Sequence, residues 1–120
     1  SNPLSLSSAI KNFDKIKSNK SKKYLLIGDM LELGSYSKKL HESIAPLINQ
    51  TKIDKVFVKG KLASLIYKKI SNSKKGKIFR NKSEIDDLIR NDIKNNDYLM
   101  IKASLATGFN DIVKDLKGLR

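Results

Sequence analysis

Residues 24–28, Tyr24-Leu25-Leu26-Ile27-Gly28, form a short unbroken apolar run that stops at a glycine. Successive side chains of a strand point to opposite faces, so an unalternated run fits a strand covered on both sides. Helical patterns flank it. Upstream, Leu6, Ala9, Ile10, Phe13 and Ile16 recur at helical spacing. Asn2-Pro3 before them supplies a capping acceptor and then a proline where a missing N–H does no harm. Downstream, Leu40, Ile44, Leu47 and Ile48 give a second stripe, with Pro46 inside it expected to cost about 3 kcal/mol or to bend the helix. The alternation then continues. Val56-Phe57-Val58 is a strand, Leu62, Leu65, Ile66 and Ile70 mark a helix, and Lys77-Ile78-Phe79 is a weak strand. Ser83 is the expected cap of a helix carrying Ile85, Leu88 and Ile89. Tyr98-Leu99-Met100-Ile101 reads as the last strand, and Phe109, Ile112, Val113 and Leu116 as a closing helix.

Short, unalternated strands interleaved with helices predict an α/β fold with a mostly parallel sheet wound on both faces. Ligands of such sheets gather outside the carboxyl ends of the strands. Here those ends are Gly28-Asp29-Met30, Lys59-Gly60-Lys61, Arg80-Asn81-Lys82 and Lys102-Ala103-Ser104. Together they offer glycine, cations and small polar groups, a rim suited to an anionic or carboxylate-bearing ligand.

Composition narrows the chemistry. The 120 residues fit one domain, expected over 1–120. With no cysteine and one histidine, His41, thiol chemistry and multi-histidine metal sites fall away. Neither a membrane-length apolar run nor a secretory leader is seen, so no membrane association is expected and the cytoplasm is the expected compartment. A net charge of +13 raises the question of nucleic acid. Lysine, however, supplies 22 of the 25 cations and is scattered through nearly every segment, beside 14 isoleucines and 10 asparagines. An AT-rich coding sequence produces that balance without selection for a basic stripe. The expectation is therefore no nucleic-acid partner, a free-standing basic module for nucleic acid or another anion being the alternative.

Neither Gly60-Lys61 nor Gly76-Lys77 is followed by Ser or Thr, so no phosphate-binding P-loop is present, and no G-x-G-x-x-G occurs. Asp29 and Glu32 could form a carboxylate pair for a metal or proton transfer, though loop stabilisation and capping are the simpler role for the two. His41 suits a structural, hydrogen-bonded imidazole better than a ligand contact. Ser104 lacks a nucleophile elbow and suits a hydrogen bond to a carboxylate. No catalytic residue and no metal ligand is assigned.

The block from Tyr24 to Gly34, containing Gly28-Asp29-Met30-Leu31-Glu32-Leu33-Gly34 and followed by His41, closely resembles the start of the C-terminal domain of Mur ligases of peptidoglycan synthesis. The resemblance is closest to the branch that handles D-alanyl-D-alanine. Asn2-Pro3, the segment Ile53 to Gly60, and Lys102-Ala103-Ser104 with Gly108 follow in the family's order. The similarity runs through essentially the whole chain. It implies a Rossmann-like three-layer α/β/α domain of an enzyme that joins D-alanyl-D-alanine to a UDP-N-acetylmuramoyl-tripeptide, using ATP and magnesium. Its partners would be the enzyme's own N-terminal and central domains, the central one carrying the P-loop. On this resemblance Lys102, Ser104 and Asp29 bind substrate, while Asn2 and Pro3 lie near the nucleotide. The domain alone would bind no cofactor and catalyse no ligation, because phosphoryl transfer needs ATP and metal positioned together. One departure stands out: Ala103 replaces the family's usual glycine, where a positive φ would cost alanine about 1 kcal/mol.

Overall fold

The computed structural model describes residues 3–29 and 37–103. Its elements run α1 (Pro3–Asp14), β1 (Lys23–Gly28), α2 (Ser37–Asn49), β2 (Lys55–Lys59), α3 (Ala63–Lys69), a 3₁₀ turn (Asn72–Lys74), β3 (Lys75–Phe79), α4 (Lys82–Asp87), a π-turn (Leu88–Asp92) and β4 (Tyr98–Lys102). The expected closing helix at 109–116 lies outside the described residues.

The four strands make one sheet in the order β3-β2-β1-β4, and every pairing is parallel. Position in the sheet explains the sequence patterns. Central β1 is buried at every residue, which is why its run does not alternate; β2 is buried at its three middle positions. Edge strand β3, the weak strand of the sequence, is exposed at Gly76, Lys77 and Ile78.

Alternate residues feed two apolar layers. Leu25, Ile27, Val56 and Val58 pack with Leu6, Ile10 and Phe13 of α1, Ile44 and Ile48 of α2, and Ile66 of α3. On the other face Tyr24, Leu26, Phe57 and Phe79 pack with Ile85 of α4 and Leu88 and Ile89 of the π-turn. Helices thus cover both faces, the three-layer arrangement expected.

Three details go beyond the sequence expectation, the helix around Pro46 in agreement with it and the other two as corrections. Strand β1 begins at Lys23, not Tyr24, and Lys23 is buried although charged. Its Nζ donates to the Asp14 carbonyl at 2.7 Å, at the end of α1, while its backbone N–H donates to Asp54 Oδ2 at 2.8 Å. A cation on the last helical carbonyls both satisfies them and opposes the negative end of the helix. Second, α2 runs three residues past Pro46 to Asn49. Complete burial of Ala45 and Ile48 beside it holds the helix where the proline removes a backbone bond. Third, α4 is capped by Asn81 and not by Ser83: Asn81 Oδ1 accepts the Glu84 N–H at 3.1 Å, and the helix starts at Lys82. Asn81 has the extended backbone that a cap residue requires, and Ser83 lies already inside the first turn.

Candidate functional site at the carboxyl edge

Register brings the strand ends level. Gly28 pairs with Lys59, Lys59 with Phe79, and Ile27 with Lys102. Asp29, Gly60, Arg80 and Ala103 therefore follow their strands along one edge. From β1 the chain steps outward to β2 and β3, and then places β4 on the opposite side of β1. The reversal of direction puts the topological switch point between the ends of β1 and β4, the position at which ligands of open parallel sheets bind in a crevice. Asp29 and Lys102 come from the two strands that flank it.

Lys102 is half-buried and lines a groove of about 390 Å³ together with Met100 of β4 and Ala9, Asn12, Phe13 and Ile16 of α1. A mostly apolar lining of this kind lets the aliphatic stem of a lysine be buried in part. Ala103 is half-buried against the second apolar layer. No non-glycine residue among those described has a positive φ, so the alanine that replaces glycine here sits in ordinary backbone without strain. Packing of its Cβ gives it a role that glycine could not fill.

Asp29 is held rather than free. Its Oδ1 accepts the Ala63 N–H at 2.7 Å, at the start of α3. Gly60 lies beneath the carboxylate with φ +118°, and a Cβ there would come within 2.4 Å of Asp29 Cγ. The Gly60 carbonyl in turn accepts the Ser64 N–H at 3.0 Å and the Ser64 hydroxyl at 2.7 Å. Asp29 and Ala63 are 34 residues apart, so no local pattern signals this contact. It realises the loop-stabilising role open to Asp29 from the sequence.

At the far end of the edge, Glu84 pairs with Lys77 Nζ at 3.0 Å and with Arg80 Nε at 3.1 Å. Hydrogen bonds from Lys77 and then Arg80 hold its carboxyl below the usual carboxylate range. Lys59, Lys61 and Lys102 add further cations to the edge. That donor set suits anionic groups such as a carboxylate or phosphates. No group of three or more His, Asp or Glu residues that could hold a metal ion occurs among the described residues.

Ser104 and Asn2 lie outside the described residues, as does Glu32; His41 belongs to α2, but its side chain is likewise outside them. Pro3 is the first residue of α1. No helix among the described residues is long and apolar enough to cross a membrane.

Residues 1–105 match the family described as Mur ligase, glutamate ligase domain. The UDP-N-acetylmuramoyl-tripeptide–D-alanyl-D-alanine ligase of Bacillus subtilis (strain 168) is 31% identical over 95% of the chain, which spans 25% of that relative. The enzyme of the same name from Buchnera aphidicola is 34% identical over 97% of the chain, again 25% of the relative. The chain thus spans about a quarter of the length of these curated relatives. A crystal structure of MurF ligase from Thermotoga maritima in complex with ADP shares the fold at a TM-score of 0.74 and 24% identity, covering all of this chain and 27% of that one.

Proposed function

Because this chain belongs to the Mur ligase, glutamate ligase domain family, we propose that it serves as the C-terminal domain of an ATP-dependent ligase that joins D-alanyl-D-alanine to UDP-N-acetylmuramoyl-tripeptide in the cytoplasm. What supports the reading is the match along 95–97% of the chain to relatives that carry that activity in their names. In this reading the domain closes over ATP held by the central domain, and Asn2-Pro3 enters it near the nucleotide. Magnesium would be held outside this domain. ATP would supply the phosphoryl group that activates the tripeptide's carboxylate, leaving ADP, and the residues of this chain orient the amine-bearing dipeptide that forms the amide bond as phosphate leaves. Lys102 and Ser104 hold the carboxylate of that dipeptide, an ammonium giving charge and a hydroxyl a directed hydrogen bond.

Several lysines have structural partners that account for part of the positive charge. Lys23 donates to the Asp14 carbonyl, Lys55 to Ser73, and Lys74 to both Thr51 and Ile53. Cations tied to backbone carbonyls at separate places do not make a phosphate-tracking stripe.

The test is Lys102→Ala in the full-length ligase. Losing a charge-assisted hydrogen bond costs about 1.5–3 kcal/mol, so the KM for D-alanyl-D-alanine should rise roughly ten-fold or more while that for ATP changes much less. An unchanged dipeptide KM and kcat would refute the assignment.

A further inference from the structure

We infer that Asp29 is a positioning residue of the substrate edge: it works as a hydrogen-bond acceptor that locks the exit of β1 to the exit of β2, and not as a negative charge presented to the dipeptide. This deepens the function proposed above and rests on it. Helix α3 has no side-chain cap of its own, since Leu62 stands at its N-cap in helical backbone. Asp29 supplies the missing acceptor from another strand, taking the N–H of Ala63, the first helical residue.

Gly60 makes room for this contact. Any side chain there would press its Cβ to 2.4 Å from both Cγ and Oδ1 of Asp29, and φ +118° is strained for every other residue type. The double acceptance of Ser64 by the Gly60 carbonyl fixes the same turn from the opposite side. Asp29 follows β1 directly, two residues beyond Ile27, the register partner of Lys102. The ladder between β1 and β4 already fixes Ile27 beside Lys102, so what the Asp29 tie adds is the path of the chain as it leaves β1 next to that lysine. Without the tie, that exit loses its fixed place beside the lysine and the dipeptide is held less well.

The acceptor role and the charge role separate in one comparison. An asparagine side chain keeps the Oδ1 acceptor and loses the charge, so in the full-length ligase Asp29→Asn should stay within about two-fold of wild type, whereas Asp29→Ala should raise the dipeptide KM about five-fold or more with little change in kcat. Gly60→Ala should match Asp29→Ala, and the double variant should add nothing to either. Hydrogen exchange of the full-length enzyme over residues 60–66 gives a second readout, accelerated in Asp29→Ala and Gly60→Ala and restored in Asp29→Asn. An Asp29→Asn enzyme as impaired as Asp29→Ala overturns the inference and returns the charge to a direct role. So does additivity of the Gly60 and Asp29 effects. A dipeptide KM that rises in Lys102→Ala but in no Asp29 variant overturns the positioning role alone. A KM that moves in none of them overturns the proposed function with it.

Discussion

Replacing Gly76 by alanine tests how tightly the second apolar layer is packed. Gly76 lies where the pairing of β2 and β3 slips a residue, Val56 matching Lys75 and Phe57 matching Lys77. Its φ is not positive, so conformation does not demand glycine there; space does. A Cβ on Gly76 would come within 2.4 Å of Phe57 Cε1 and 2.7 Å of Cδ1 and Cζ. The ring cannot simply retreat. It is stacked on Phe79 with centroids 5.4 Å apart and planes 3° from parallel, and Tyr24 stands 6.1 Å away on a tilted plane.

Two effects oppose each other. In a strand with ordinary φ, alanine for glycine restricts the unfolded chain and stabilises by about 0.5–1 kcal/mol. Forcing an extra methyl against a packed ring costs about 1–3 kcal/mol. The clash should win, leaving the variant about 1–2 kcal/mol less stable, which for a chain of this length lowers Tm by about 4–8 °C. Thermal and urea unfolding followed by circular dichroism would measure it. Because the cost comes from the ring, Gly76→Ala should be less damaging in a Phe57→Leu background than in wild type. A Tm equal to or above wild type, or strict additivity with Phe57→Leu, would refute the packing account.

Asn81→Ala should destabilise by about 1 kcal/mol in urea unfolding through loss of the α4 cap, whereas Ser83→Ala should have a markedly smaller effect. The lowered pKa of Glu84 adds stability that is fully present above the ordinary value near 4.5 and is lost as pH falls through the folded value. The stability difference between wild type and Glu84→Gln should accordingly shrink on acidification below pH 4.5 and stay level above it. Tyr24 is shifted the opposite way, upward from 10.0, by burial first and then by Asp97, Asp54 and Asp92. Its contribution is intact below pH 10.0 and lost as pH rises through the folded value, so Tyr24→Phe should blunt alkaline unfolding and remove a late phase from the tyrosinate absorbance titration.

Much of the fold was legible because burial on both faces of a parallel sheet leaves a local trace. The runs at 24–27 and 56–58 are apolar without alternation, and the stripe from Leu6 to Phe13 marks the face α1 turns to the core; the run at 98–101 reads the same way although edge strand β4 is exposed at Tyr98 and only half-buried beyond it. The edge of the sheet at which ligands gather could be named for the same reason, since it follows from where each run stops. Strand order could not be read, because pairing depends on which crossovers pack together and not on any one run. Nor could Asn81 be separated from Ser83 as a cap, both being good acceptors within three residues of the helix start.

The chain's own sequence settled the alternation of helices and strands as far as β4 and, through the Gly28-Asp29-Met30 block, the resemblance to a family. It also exposed the replacement of glycine by Ala103, but not the consequence. Only the tertiary structure decided that Ala103 has ordinary backbone and a packed Cβ, that Lys23 is a buried cap for α1, and that Asp29 is committed to Ala63 over a pocket of space left by Gly60. The reason is range. Periodicity and capping act within a few residues and leave their mark in the string, whereas a carboxylate finds an N–H 34 residues away only after the sheet has brought the two strand ends level.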